Sequence, residues 1–132
     1  VNVFYSPRYE VSLPGHIWPT SKYRLIADRL RQGFGGQERL GRRAPGEGGP
    51  SIAEPAAASW QDLALVHTAE YLDKLRTNTL TADEIATLEL PWESHMADAF
   101  RLMVGGTCAA AKAALDEGLA AHLGGGLHHA FA

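Results

Sequence analysis

Two histidines stand side by side, His128 and His129, behind three glycines and a leucine in the stretch GGGLHHAF. In an extended chain neighbouring side chains point to opposite faces, so this pair can act on one atom only if the backbone turns sharply. Gly124, Gly125 and Gly126 permit such a turn because glycine tolerates positive φ. An imidazole titrates near about pH 6.5, and two close together resist both being charged. One is then free to take a proton from water while the other donates a proton or stabilises developing negative charge. That division of labour suits amide hydrolysis. The bare pair also admits a plainer reading, two ordinary loop histidines with one buried and one wet. For a motif taken alone, the plainer reading is the commoner one.

The remaining reactive side chains narrow the field. A lone cysteine, Cys108, can form neither an internal disulfide nor a cysteine-based zinc site, which points to a reducing, cytoplasmic setting. It lies on the apolar face of a helical pattern and reads as core rather than nucleophile. The formal net charge is -3, which argues against a nucleic-acid-binding module. Arg29, Arg31, Arg39, Arg42 and Arg43 cluster among glycines in the manner of a single-strand-binding segment. Phe34 is the sole aromatic there and Glu38 and Glu47 dilute the charge, so a solvated loop is the better reading. No apolar run approaches the roughly 20 residues that span a bilayer. The start, VNVFYSPRY, has no basic segment followed by an apolar one and so does not read as a signal peptide.

The elements that must position these residues follow from the apolar pattern. Val1 to Tyr5 reads as a strand, and LPGHIWPTS, with two prolines and a glycine, as irregular structure. Thr20 or Ser21 caps a helix carrying Tyr23, Ile26, Ala27 and Leu30, which Gly33 ends. Residues 32–59 are dominated by Gly, Pro, Ala and charge, and read as a flexible insertion. Ser59 with Asp62, and Thr81 with Glu84, form capping boxes for short helices, and Thr68 caps another between them. From His95 to Glu117 runs the longest helical pattern, with Phe100, Met103, Val104, Thr107, Ala111, Ala114 and Leu115 as its apolar stripe and Gly118 as its stop. Gly105 and Gly106 in its middle each cost about 1 kcal/mol relative to alanine, which close approach to another backbone explains. Leu119 to Leu123 is a short strand emptying into the glycine run. The order is that of half an α/β domain, and the histidine pair falls beyond the carboxyl end of a strand, where such folds keep functional loops. Two strands make no independent sheet, so the chain reads as cut before its sheet is complete. His67, His95 and His122 read as structural. Trp60 and Trp92 are open to core, loop-anchor or rim roles.

The stretch GGTCAAAKAALDEGLAAHLGGGLHHAF, Gly105 to Phe131, resembles the histone deacetylase family of the arginase/deacetylase superfamily. FYSPRY, LPGHIWPTSKY, LALVHTAEYLDKL and ELPW support the likeness, which is closest to the class IV branch and its bacterial relatives. It implies a partial arginase/deacetylase-type α/β fold, a parallel sheet flanked by helices and truncated before completion, with residues 1–132 as the N-terminal part of a single deacetylase domain. It implies that His129 is the general base and acid and His128 its charge-tuning partner. Gly125 and Gly126 would wall the acyl channel, and Glu89 would be an acidic rim residue holding the substrate backbone. His16, in the first loop, would either fix that loop near the channel or serve substrate directly, and Trp18 is the best rim candidate among the tryptophans. The family's zinc polarises the acyl carbonyl and binds the attacking water. Its Asp, His and Asp ligands and its transition-state tyrosine lie downstream of the tandem histidines, so no metal ligand is assigned in this chain, and the chain by itself is expected to be inactive. The implied reaction is hydrolysis of an N-acyl amide, acetyl-lysine being one substrate. Acetylpolyamine amidohydrolase-like activity, or a non-catalytic remnant or binding module, are the alternatives. The implied partner is a small N-acyl substrate, with neither nucleic acid nor membrane.

Overall fold

The computed structural model describes residues 1–33 and 50–125. Among these residues the chain forms three strands and five α-helices: β1 (Asn2–Phe4), α1 (Lys22–Arg31), β2 (Ser51–Ala53), α2 (Trp60–Leu63), α3 (Ala69–Thr77), α4 (Ala82–Leu88), α5 (His95–Glu117) and β3 (Ala120–His122). A 3₁₀ turn, Pro7–Tyr9, follows β1 and is capped by the Ser6 hydroxyl. The sheet is parallel in the order β2-β1-β3, with Val3 opposite both Ile52 and Ala121. The fold is therefore α/β with a parallel sheet, as expected.

The strand β2 lies inside 32–59, the segment that reads from sequence as a flexible insertion. Ser51–Ala53 pairs with β1, and the segment after it is tied down as well. Glu54 accepts from the Ser6 hydroxyl at 2.7 Å and pairs with Arg8 at 3.1 Å, fastening β2 to the 3₁₀ turn. The Ala58 N–H donates to the Arg101 carbonyl on α5 at 2.9 Å. A three-residue edge strand between glycine- and proline-rich flanks shows no alternation to read, so its order comes from pairing alone. Residues 34–49 of that segment lie outside the described residues.

Helix α5 packs on β1, β3 and the 3₁₀ turn. Its buried positions are Met96, Ala97, Ala99, Leu102, Met103, Gly105 and Gly106. That face is turned from the expected stripe: of the stripe's members Met103 is buried, whereas Val104 is exposed and Leu115 is 88% exposed. Small residues share that face with Met96, Leu102 and Met103, and the two glycines mark where α5 approaches its neighbours closely. Cys108 follows the last buried residue and is exposed, so it is not a core residue. Gly105 does meet another backbone: a Cβ there would fall on the Ala56 carbonyl oxygen, with the Ala58 nitrogen 2.9 Å away. The core beside it is aromatic. Tyr5 and Tyr9 meet edge to face at 5.9 Å, Tyr9 and Tyr23 at 6.1 Å, and Trp18 closes on Tyr23 at 6.2 Å.

The helix starts follow the local chemistry. Ser59 and Thr81 each make reciprocal capping boxes, with Asp62 and Glu84, and the Thr68 hydroxyl accepts from the Tyr71 N–H. Helix α1 differs: neither Thr20 nor Ser21 caps it through its side chain. The buried Thr20 hydroxyl instead donates to the Val11 carbonyl at 2.7 Å, joining the two ends of the first loop. No helix among the described residues is long and apolar enough to cross a membrane.

Candidate functional site

A groove of about 850 Å³ opens beside α5, within the size range of small-molecule sites. The first loop, α1, α2, α3, the segment after α4, α5 and the exit of β3 all contribute to it. Three of the residues expected from sequence at a substrate channel, His16, Trp18 and Glu89, line it together, although they are far apart in the chain. Gly124 lines it as well, and Gly125 follows directly. Gly126, His128 and His129 lie outside the described residues.

Each wall residue is held by a definable contact. The Trp18 N–H donates to His16 Nδ1 at 3.1 Å, so the imidazole closes its own turn of the first loop and keeps its proton on Nε2. The Lys22 ammonium sits 5.9 Å from the Trp18 ring centroid and 5.3 Å from that of Tyr23, placing one cation over two aromatic faces. Glu89 ends α4 in the left-handed region at φ 55, an unusual conformation for a residue with a Cβ. Opposite, Trp92 Nε1 donates to Asn78 Oδ1 at 3.0 Å and leans on Phe100 at 6.1 Å. The Arg101 guanidinium lies 4.5 Å from the Trp60 centroid and donates to the Ala58 carbonyl at 3.0 Å. The groove thus has an apolar floor and fixed polar edges, suited to a slender substrate with one apolar and one polar portion.

At its β3 end the groove backs onto a buried cluster. His122 Nε2 lies 2.9 Å from the hydroxyl of Tyr9, which is 0% exposed. On the other side of the same ring the Gly125 N–H donates to Nδ1 at 3.2 Å. The Thr107 hydroxyl stands 3.2 Å from Nδ1 and 3.3 Å from the Met103 carbonyl, with one proton for the two. Burial lowers the His122 pKa, favouring the neutral ring. Burial, aided by the Glu54 charge and opposed by Arg8, pushes the Tyr9 hydroxyl up to about 12. Sequence reading assigned His122 a structural place but missed these partners. The available signal was a polar side chain inside the apolar run LAAHL, three positions ahead of a glycine. Lys22 and Tyr23 were missed as wall residues, and Trp92 was left open between core, anchor and rim, because only the folded chain brings their segments together.

No group of three or more His, Cys, Asp or Glu that could hold a metal ion occurs among the described residues. Comparison with known proteins supplies the rest. A histone deacetylase domain profile matches residues 16–132. Histone deacetylase 2 of Arabidopsis thaliana is 33% identical over a 140-residue alignment covering 98% of this chain and 33% of the relative. An uncharacterized protein of Picosynechococcus is 32% identical over 130 residues, covering 98% of this chain and 40% of the relative. The acetoin utilization protein AcuC of Bacillus subtilis is 39% identical over 90 residues, or 61% of this chain and 23% of its own length. The chain therefore spans well under half the length of each of these relatives.

Proposed function

This chain belongs to the histone deacetylase family, and from that premise we propose that it carries the tandem-histidine half of a site that hydrolyses N-acyl amides, acetyl-lysine among them. The observation that carries this reading is the groove. Its walls hold His16, Trp18 and Glu89, together with Gly124, four residues ahead of His128 in the chain. An acyl-lysine is a slender apolar stem with an amide at its tip, which matches an apolar groove with polar edges. The aromatic walls desolvate the stem. Glu89 accepts hydrogen bonds from the substrate backbone at the rim. His129 takes the proton of the attacking water and returns it to the leaving amine, and His128 steadies the charge that builds beside it.

The family likeness implies a zinc ion, which would polarise the acyl carbonyl. No ligand set for it occurs among the described residues. By itself the 132-residue chain is expected to be inactive, and the working protein is expected in the cytoplasm. The test is turnover of an acetyl-lysine peptide by the full-length protein, with an acetylpolyamine as the competing substrate. His129→Ala is expected to lower turnover about 100-fold or more. Full activity in that variant overturns the proposed chemistry, and faster turnover of the acetylpolyamine reassigns the substrate.

A further inference from the structure

We propose that His122 is a positioning residue: through Nδ1 it fixes the glycine turn whose Gly124 lines the groove. Three independent features converge on this imidazole. First, the Gly125 N–H donates to Nδ1 at 3.2 Å, and Gly125 sits at φ +67, where the backbone needs a partner to hold one conformation. Second, the ring cannot swing away. Nε2 is 2.9 Å from the buried Tyr9 hydroxyl, and the two rings meet edge to face at 5.4 Å. With Nδ1 accepting from an N–H, the ring proton resides on Nε2 and is donated to Tyr9. Third, two glycines leave room for the ring. A Cβ on Gly106 would strike His122 Nε2, and a Cβ on Gly124 would lie 2.8 Å from it. Helix, strand and turn are thus shaped round one neutral imidazole, and its outward nitrogen is spent on the backbone that continues toward the tandem histidines.

The functional part of this inference rests on the acyl-amide reading above, while the positioning itself can be tested without it. Asparagine carries its side-chain oxygen the same number of bonds from Cα as His122 Nδ1, so His122→Asn keeps an acceptor for Gly125 while losing the contact to Tyr9. His122→Gln places its amide at the distance of Nε2 from Cα, keeping a partner for Tyr9 while leaving Gly125 unserved. In the full-length protein, amide exchange at Gly125 is expected to be slow in wild type and His122→Asn, and about tenfold faster in His122→Gln, the scale of one lost hydrogen bond. Turnover of the acetyl-lysine peptide should follow the same order, with kcat falling about tenfold in the glutamine variant and about threefold or less in the asparagine variant. The variants divide the two contacts, asparagine keeping the one to Gly125 and glutamine the one to Tyr9, so a merely structural role through Tyr9 predicts the reverse order of losses. Equal or reversed losses, or a fast-exchanging Gly125 amide in wild type, overturn the proposal. The expected exchange pattern in a wild type that turns over no acyl amide upholds the positioning and overturns the functional reading instead.

Discussion

The cluster behind β3 and the groove in front of it share Gly124, yet they are built in opposite ways. In the cluster, Tyr9 is wholly buried, His122 meets a partner through each ring nitrogen, and Gly106 and Gly124 have no space for a methyl group. In the groove, Ile17 is 94% exposed, the tryptophans are half-buried, and the polar groups are fastened at the edges, Trp92 to Asn78 and His16 to the Trp18 backbone. One side is closed by the chain's own atoms; the other presents apolar surface to whatever enters. The contrast separates residues that set geometry from residues that meet a ligand. Stability should therefore be concentrated behind β3, and ligand affinity in front of it.

The largest effect expected is on the closed side. Gly106→Ala gains about 1 kcal/mol of helix propensity. Against that, its methyl strikes two rings held by hydrogen bonds, an overpacking of about 3 kcal/mol. The clash wins, and chemical denaturation should show a net loss of about 2 kcal/mol. A stabilised variant would mean that the cluster yields as readily as the groove. Next comes pH. Burial lowers the His122 pKa below its ordinary value of 6.5, so the unfolded chain takes up this proton first. The stability due to the neutral ring is complete above pH 6.5 and is lost as pH falls through the lowered folded value. Denaturation midpoints measured downward from pH 7.5 should show this decline, and His122→Asn should remove it. A second decline, common to both proteins, should follow in acid, because Lys74 and Thr81 hold Glu84 at about 2 rather than 4.5. The smallest effect on stability belongs to the groove. Ile17→Ala should leave stability within about 0.5 kcal/mol, while raising KM for an acetyl-lysine peptide about threefold through lost apolar contact. Destabilisation without a change in KM would erase the distinction between the two sides.

What the sequence disclosed and what it hid follow the range of the forces involved. Local chemistry was legible. Ser59 with Asp62 and Thr81 with Glu84 announced their helices, and α5 begins at His95 and stops before Gly118 as its pattern implied. The glycines in α5 signalled a close approach to another backbone, which holds for Gly105 against Ala56, whereas Gly106 meets the side chains of His122 and Tyr9. Long-range order was not legible. The three residues of β2 are too few to show a period in sequence, and its pairing with β1 defines it. The buried face of α5 mixes alanine and glycine with Met96, Leu102 and Met103, whereas an apolar stripe counts large side chains alone. At the candidate site, His16, Trp18 and Glu89 were nameable from motifs, but nothing in their spacing showed that they line one groove. The Tyr9 partner of His122 is 113 positions away in the chain, beyond any local pattern.

The strand order has a consequence for how the chain assembles. Residue 3 pairs with residues 52 and 121, so the strand made first among the three has both of its neighbours still to come. At typical synthesis rates of about 5–20 residues per second, the wait for the second neighbour is on the order of ten seconds. Until then β1 has an open edge able to template unwanted pairing, and parallel partners of such high contact order close slowly. Hydrogen exchange during refolding should accordingly show α5 protected before Val3. Tyr9 should be among the late side chains to lose solvent, because its lid, His122, arrives with the last of the three strands.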